Sequence, residues 1–319
     1  MKQVSIVIPT YNRVELLPRT IEWLANQTGG ITYEVIFVIN GCHDGTREYL
    51  QSIVERFPDI FRFFYIDPTG GPSAPRNVGI RKATAEVIII LDDDVIPDPD
   101  LVLEHWKFHQ QNPGPEFAAL GKLYVPEELQ KDPMSLFHSF PYEEVRRQKK
   151  LGYLFFWTCN VSVKRDFMLR CGMFDESMLY FEDMVCGYKL ACNGIQLKFL
   201  PQARGRHMHK LVPSAVPNRG LLTGKWLHSM TQCIPDRAMK ERFGIFSPDV
   251  RPHLLVWRLC KRLAFRIVDN PLVMWILKAL GAERRARSAL TDLYYYLIFR
   301  RNMLTGYYRA KQGVEEVST

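Results

Sequence analysis

The chain has 319 residues and a mass of 37.2 kDa; 47% of its residues are apolar and 24% charged, with 20 Gly and 20 Pro. This composition builds a packed core and excludes collagen, low-complexity disorder and a small disulfide scaffold. The net charge of +8 is uneven: residues 1–210 carry 24 Lys+Arg against 26 Asp+Glu, and residues 211–319 carry 18 against 8. The basic last third leaves nucleic acid, anionic lipid and phosphorylated substrates open as partners. No apolar stretch reaches the roughly 18–20 residues that cross a bilayer. The longest, Leu272–Leu277 and Leu293–Phe299, are far shorter. The seven cysteines are odd in number and form no CxxC pair, so reduced thiols and a cytoplasmic setting are expected. No basic region followed by an apolar one precedes the first strand, so no secretory leader is expected.

In chain order, Val4–Ile8 reads as a strand and Glu15–Asn26 as a helix with Leu16, Leu17, Ile21 and Leu24 on one face. Tyr33–Ile39 predicts a second strand and Thr46–Arg56 a second helix. Phe61–Ile66, Ala74–Lys82 and Glu86–Leu91 continue the alternation as strand, helix and strand. Val87–Leu91 is apolar on both faces, as a parallel strand covered by helices on each side should be. The order predicts an α/β fold with a doubly wound, mostly parallel sheet, whose ligands bind beyond the carboxyl ends of the strands. Those ends carry the polar signals Pro9-Thr-Tyr-Asn12, Asn40–Gly45 and Asp92-Asp-Asp94. Further on, Phe117–Tyr124, Tyr153–Val163 and Gln196–Leu200 read as strands, and Asp183–Cys192 as a helix. After about residue 211 the pattern changes, which sets a soft boundary near residue 215. Leu254–Val268, Leu272–Leu280 and Ala286–Arg309 read as helices rich in Arg, Trp and Tyr. Loops bearing Pro213, Pro217, Pro235, Pro248, Pro252 and Pro271 punctuate them.

Asp92, Asp93 and Asp94 follow the most apolar strand of the chain. Adjacent carboxylates repel one another, and any that is buried needs a cation or several donors. A solvated acidic turn would also suit the triplet. Its place at a strand's carboxyl end favours Mg²⁺ or Mn²⁺, which take one or two carboxylates plus substrate phosphates. Arg76 and Asn77 stand at a predicted helix start, where Arg suits bidentate phosphate or carboxylate recognition and the helix adds positive potential.

Taken together, these motifs resemble the family-2 inverting glycosyltransferases. Val4–Asn12 followed by Asn26-Gln27-Thr28 resembles the family's opening, and Val38-Ile-Asn-Gly-Cys-His-Asp-Gly-Thr46 its second-strand motif. Gly71-Pro-Ser-Ala-Pro-Arg-Asn-Val-Gly79 is similar to its Arg-Asn-x-Gly helix start, and Leu91-Asp-Asp-Asp94 to its DxD site. Gly172-Met-Phe-Asp-Glu176 and Phe181-Glu-Asp-Met184 look like its acceptor-side motif. The likeness covers about residues 3–210 and implies the GT-A nucleotide-sugar-binding fold over residues 1–215. A basic, aromatic-rich helical extension occupies 216–319.

The resemblance implies that Pro9, Tyr11 and Asn40 line the base pocket and that Arg76 and Asp92 contact the nucleotide sugar. Asp93 would hold the ribose or a sugar hydroxyl, and Asp94 a Mn²⁺ or Mg²⁺ on the diphosphate. The family commonly has Asp where this chain has Asn40, and Asn lacks the charge assistance of a carboxylate. That departure leaves the base open, with UDP- or dTDP-type donors favoured. Asp183 matches the family's general base, with Glu182 positioning it or the acceptor; N-terminal capping would also place a Glu-Asp pair there. Arg206-His207-Met208-His209 resembles the place of a metal-ligating His; His207 is preferred and His209 is the alternative. Trp157, Cys159 and Cys171 read as core.

These expectations converge on a metal-dependent, inverting, non-processive transferase that moves a sugar from a nucleotide-diphosphate donor to a hydroxyl acceptor. Leu222-Thr-Gly-Lys-Trp226 is only a faint echo of the QxxRW motif of processive synthases. A binding or scaffold protein that kept the fold, and a sugar-phosphate nucleotidyltransferase, are the alternative classes. The C-terminal arginines (Arg258, Arg262, Arg266, Arg284, Arg285, Arg287, Arg300, Arg301) sit among Trp257, Trp275 and Tyr294–Tyr296. They suit either the inner face of a membrane bearing a lipid-linked acceptor, or packing on the catalytic domain or a second subunit. Nucleic acid is not expected as a partner, because no base-reading module is present.

Overall fold

Short apolar runs alternating with amphipathic segments give the first half of the molecule its parallel sheet. The computed structural model describes residues 1–138, 140–148, 150–208, 211–245, 259, 263, 270–280 and 287–313. It divides into two compact units, residues 1–126 with 138–209 and residues 127–137 with 210–319.

In the first unit, β1 (Val4–Thr10), β2 (Tyr33–Asn40), β3 (Phe61–Ile66) and β4 (Val87–Leu91) alternate with α1 (Leu17–Ala25), α2 (Thr46–Arg56) and α3 (Ser73–Lys82). β5 (Val95–Pro97), α4 (Leu101–Gln111) and β6 (Phe117–Tyr124) follow. The sheet has the order β3-β2-β1-β4-β7-β6-β8-β5, where β7 is Asn160–Lys164 and β8 Gln196–His207. Pairs β1–β2, β1–β4, β2–β3 and β6–β8 are parallel; β4–β7, β6–β7 and β5–β8 are antiparallel. Every residue of β2 and β4 is buried, as their two-sided apolar pattern demands. Helix α3 lies so close to the sheet that a Cβ on Gly79 would strike Val7.

One expectation fails locally, and one helix was not anticipated. Tyr153–Phe155 forms a 3₁₀ turn, and the predicted strand begins only at Asn160. Packing of Phe155 and Trp157 on one another, and of Trp157 on Phe140 and Tyr142, favours the turn over an extended run. Helix α4 was not expected. Its His105 donates through Nε2 to Asn160 Oδ1 (2.9 Å) and, being neutral, accepts at Nδ1 from Ser162 Oγ (2.8 Å), and His109 Nε2 meets the same Ser162 (2.9 Å). Burial pushes His105 down to about 4 and His109 to about 3, so both stay neutral and tie α4 to β7.

Three further helices, α6 (Tyr142–Arg147), α7 (Arg165–Arg170) and α8 (Glu182–Cys192), complete the first unit; the second contains α5 (Glu127–Gln130), α9 (Val216–Cys233), α10 (Arg237–Arg242), α11 (Pro271–Ala279) and α12 (Ala289–Lys311). Pro217 was expected in a loop, yet it lies in the first turn of α9, where a missing N–H costs nothing. Gly224 and Gly306 let α9 and α12 touch backbone to backbone. Met134, Val216, Leu277, Tyr294, Tyr295 and Leu297 form the core of this unit. The helix expected over 254–268 lies outside the described residues except at Leu259 and Leu263.

Candidate active site

The carboxyl ends of β1 and β2 are held together by neutral and single-charge hydrogen bonds. Asn12 adopts a left-handed backbone (φ 52°), accepts from His43 N–H (2.9 Å) and donates its own N–H to Cys42 Sγ (3.1 Å). Asp44 accepts from Val14 N–H (3.1 Å) and from the N–H and hydroxyl of Thr46 (3.1 and 2.6 Å). Desolvation opposes ionisation of Asp44, but these donors outweigh it and hold the carboxyl below its usual range. Tyr11 stands 55% exposed beside this rim, and Pro9 is half-buried at the end of β1. Asn40 donates to Thr69 O (3.1 Å) and Gly71 O (3.4 Å) and accepts from the N–H (2.7 Å) and hydroxyl (3.0 Å) of Thr69. All four hydrogen-bonding positions of its carboxamide are spent on the 69–71 loop.

The acidic triplet follows β4 directly. Asp93 is buried, with Arg13 Nε 3.4 Å from its Oδ1. Desolvation, then the neighbouring Asp94 charge, push the Asp93 carboxyl up to about 7 against the pull of Arg13. Asp94 is also buried, and strand register brings His207 to it: Val95 pairs with His207 across β5–β8. Asp94 Oδ1 and His207 Nε2 are 3.5 Å apart, and Asp94 O accepts from Met208 N–H (2.8 Å). His209 lies outside the described residues. Among the described residues no group of three or more His, Cys, Asp or Glu could hold a metal alone. A carboxylate oxygen beside an imidazole nitrogen nevertheless suits Mn²⁺, with diphosphate oxygens and water completing its shell.

Arg76 joins the triplet to the acceptor-side motif. Its guanidinium donates through Nη2 to Asp92 Oδ1 (2.9 Å) and through Nη1 to Glu182 Oε1 (2.6 Å). The side chain is 4% exposed, so Arg76 does not present an open phosphate-binding face; two carboxylates already occupy its fork. Asn77, the next residue of α3, donates to Phe174 O (3.0 Å) and Glu176 Oε1 (2.8 Å) and accepts from Phe174 N–H (3.0 Å). Ser73 donates to Met178 O (3.2 Å). Helix α8 then opens after Phe181, a left-handed residue (φ 61°), with Glu182 buried and Asp183 half-buried. Asp183 accepts from Met184 N–H (2.7 Å). Desolvation, then the Glu182 charge, push its carboxyl up to about 7, while Arg76 opposes the shift. Burial and the Asp92, Asp183 and Asp94 charges also raise the Cys159 thiol well above its ordinary value, which keeps it protonated and a poor nucleophile.

The structure therefore brings together Asp92, Glu182 and Asp183 through Arg76, and Asp94 with His207. It sends Asn40 and Arg76 into the fold rather than toward open space. Arg13 was missed as a site-forming residue; Asn12 and Asp44 lie in the polar strand-end motifs and Asn77 beside Arg76, but their structural roles were not assigned. Asn12 carried a local signal for its conformation, since Asn tolerates the left-handed turn that ends β1.

The sequence profile of glycosyl transferase family 2 matches residues 5–172, more than half of the chain. The chain belongs to glycosyl transferase family 2. It is 33% identical over 223 residues to validoxylamine A glucosyltransferase of Streptomyces hygroscopicus subsp. jinggangensis (strain 5008), covering 61% of this chain and 52% of that protein. It is 27% identical over 239 residues to chondroitin synthase of Escherichia coli, covering 64% of this chain and 34% of that protein. The chain thus spans about half the length, or less, of these curated relatives. The fold matches the mannosyltransferase PcManGT from Pyrobaculum calidifontis in complex with GDP-Man and Mn²⁺, with a TM-score of 0.62 at 18% identity, over 98% of this chain and 88% of that one. It also matches S. aureus TarS 1-349 in complex with UDP-GlcNAc (TM-score 0.55, 15% identity, 98% and 92% covered). The family match and these structural likenesses together establish the GT-A fold.

Proposed function

We propose that this chain is a metal-dependent, inverting, non-processive glycosyltransferase. It moves a sugar from a nucleotide-diphosphate donor to a hydroxyl acceptor in bacterial cell-surface glycan synthesis. One observation carries the reading: Asp92 of the acidic triplet and Glu182 beside Asp183 converge on a single buried guanidinium. Carboxylates that would serve a donor and a base that would serve an acceptor thereby share one place. The complexes of similar structures with UDP, UDP-GlcNAc and GDP-Man support a nucleotide-sugar donor, UDP- and dTDP-sugars being the favoured class.

In this reading Tyr11 offers an exposed ring face to the base, beside Pro9. Asp93 accepts a hydroxyl of the donor, and Asp94 with His207 would hold Mn²⁺ or Mg²⁺. That cation supplies positive charge for the leaving diphosphate. Asp183 takes the proton of the acceptor hydroxyl, and its raised carboxyl value, about 7, suits a base working near neutral pH. Glu182, paired with Arg76, fixes the first turn of α8 that carries Asp183.

The test is a melting-temperature panel of UDP-, dTDP- and GDP-glucose and UDP-GlcNAc, with Mn²⁺ or with chelator, followed by nucleotide release on adding acceptors. A donor at a hundredfold excess over its Kd stabilises the fold by about 2.7 kcal/mol. Binding of no sugar nucleotide in any metal condition rejects the proposal; binding without turnover leaves a scaffold.

For the second unit the reading adds docking at the inner face of the cytoplasmic membrane, near a lipid-linked acceptor. Among the described residues no helix is long and apolar enough to cross a membrane. Leu272, Trp275, Ile276 and Leu280 of the α11 segment are exposed. Arg258, Arg262, Arg266, Arg284 and Arg285 lie outside the described residues. Flotation with anionic vesicles, weakened by salt, is the expected result. A protein that stays wholly in solution beside such vesicles at low salt removes this part.

A further inference from the structure

Resting on the transferase reading, we propose that Arg76 is a positioning residue: a clasp that fixes the acceptor-side start of α8 against the donor-side end of β4. Three observations carry the assignment. The first is geometry: one planar fork reaches two carboxylates, 16 and 106 residues further along the chain, at 2.9 and 2.6 Å. A lysine, with a single compact charge, cannot span two carboxylates in this fixed geometry.

The second is strain. The segment that leads into α8 holds two non-glycine residues in the left-handed region, Met173 (φ 54°) and Phe181 (φ 61°). Such residues cost about 1–3 kcal/mol each and persist only where their surroundings over-determine them. Helix α3 supplies those surroundings: Ser73 holds Met178 O, Asn77 holds the backbone N–H and C=O of Phe174 and reaches Glu176, and Arg76 holds Glu182.

The third is charge. Asp92 and Glu182 meet at Arg76, while Asp183 stands next to Glu182 and Asp93 next to Asp92. Without the guanidinium, carboxylates from two segments would face each other with no shared counter-ion, and the helix start would be driven from the strand end. The Phe174 ring, 5.5 Å from the guanidinium carbon, closes one face of the clasp.

The test uses the full chain carrying Arg76→Lys or Arg76→Gln. Hydrogen exchange is read at the Met184–Cys186 amides and, as an internal control, in β1 and β4. Melting with UDP-glucose and Mn²⁺, and steady-state turnover of whichever panel donor binds best, are read beside it. The loss of one charge-assisted hydrogen bond should speed exchange at the start of α8 about tenfold or more, with β1 and β4 unchanged. The kcat value should fall at least as far, with donor KM within a few-fold of wild type and Arg76→Lys retaining more turnover than Arg76→Gln. Should Arg76→Gln fail to fold, Glu182→Gln opens the same end of the clasp. Its effect should be less than additive with Arg76→Lys. A large rise in donor KM with α8 exchange unchanged would place Arg76 on the nucleotide and overturn the clasp. If the wild-type protein binds and cleaves none of the donors, the transferase reading fails, while the exchange measurements still decide whether Arg76 holds α8.

Discussion

The two halves of the site rim are held by different physics. At the ends of β1 and β2 the connections are short hydrogen bonds, mostly between neutral groups, and Asn40 is their clearest case. At the end of β4 five carboxyl groups, Asp92, Asp93, Asp94, Glu182 and Asp183, gather around buried Arg76 and partly exposed Arg13. Carboxamide bonds neither titrate nor depend on counter-ions, so the first half is a fixed wall. The second half is short of positive charge, and its state depends on pH and on any cation it receives.

The largest effect should come from the acidic half. Asp183→Asn keeps the shape and can still accept from Met184 N–H through its amide oxygen, but it cannot take a proton. Turnover should fall about 10²–10⁴-fold, the range of a general base, with donor binding near normal. The same substitution removes a charge that desolvation and the neighbouring Glu182 disfavour, so melting temperature at pH 8 should rise. Wild-type turnover in this variant would show that the base lies elsewhere.

Next in size is the loss of the cation site. Asp94→Ala should abolish the Mn²⁺-dependent part of donor stabilisation, about 2.7 kcal/mol when donor is in hundredfold excess. The residual shift should equal that of wild type in chelator. Equal donor affinity in wild type with and without chelator would remove the metal from the mechanism.

The pH dependence separates the two halves directly. Because burial first, and Glu182 second, raise Asp183 to about 7, kcat/KM should climb about tenfold per pH unit below 7 and level above it. The sign for stability is opposite. The unfolded carboxyl ionises near 3.8, its ordinary value, and the folded one near 7, so folding takes up a proton between these limits. Asp183 therefore contributes stability that is lost as pH rises through that window. Asp183→Asn should flatten this part of the melting profile. An unchanged profile would mean that the carboxyl is already ionised in the fold well below neutrality.

Legibility in the sequence followed the range of the interaction. The strands β1 to β4 and helices α2 and α3 were readable because their signals are local: apolar runs, periodic faces and the acidic triplet after β4. Helix α4 was not, since its buried histidines make sense only once Asn160 and Ser162 lie beneath it. The Arg76 fork was the hardest case. From sequence it reads as a phosphate ligand at a helix start, and only a fold that brings residue 182 beside residue 76 turns it into an ion bridge. Asp94 and His207 met by strand register, which no local pattern encodes.

The smallest effect on activity should come from the neutral wall, at Asn40→Asp. In Asn40 the two N–H groups face Thr69 O and Gly71 O at 3.1 and 3.4 Å, while the oxygen takes the N–H and hydroxyl of Thr69. An aspartate keeps the acceptor side but turns its second oxygen on two carbonyls that lose their donor. The expected cost is about 1–3 kcal/mol of stability, the scale of unmade buried hydrogen bonds. The cost should shrink as pH falls, because the buried carboxyl can then take a proton and donate it to one of those carbonyls. Preference among UDP-, dTDP- and GDP-glucose should stay as in wild type, since a side chain with every hydrogen-bonding position occupied by the 69–71 loop does not read the base. If Asn40→Asp instead keeps full stability and tightens UDP-glucose binding, residue 40 faces the nucleotide. The wall on this side would then be part of the donor contact rather than its support.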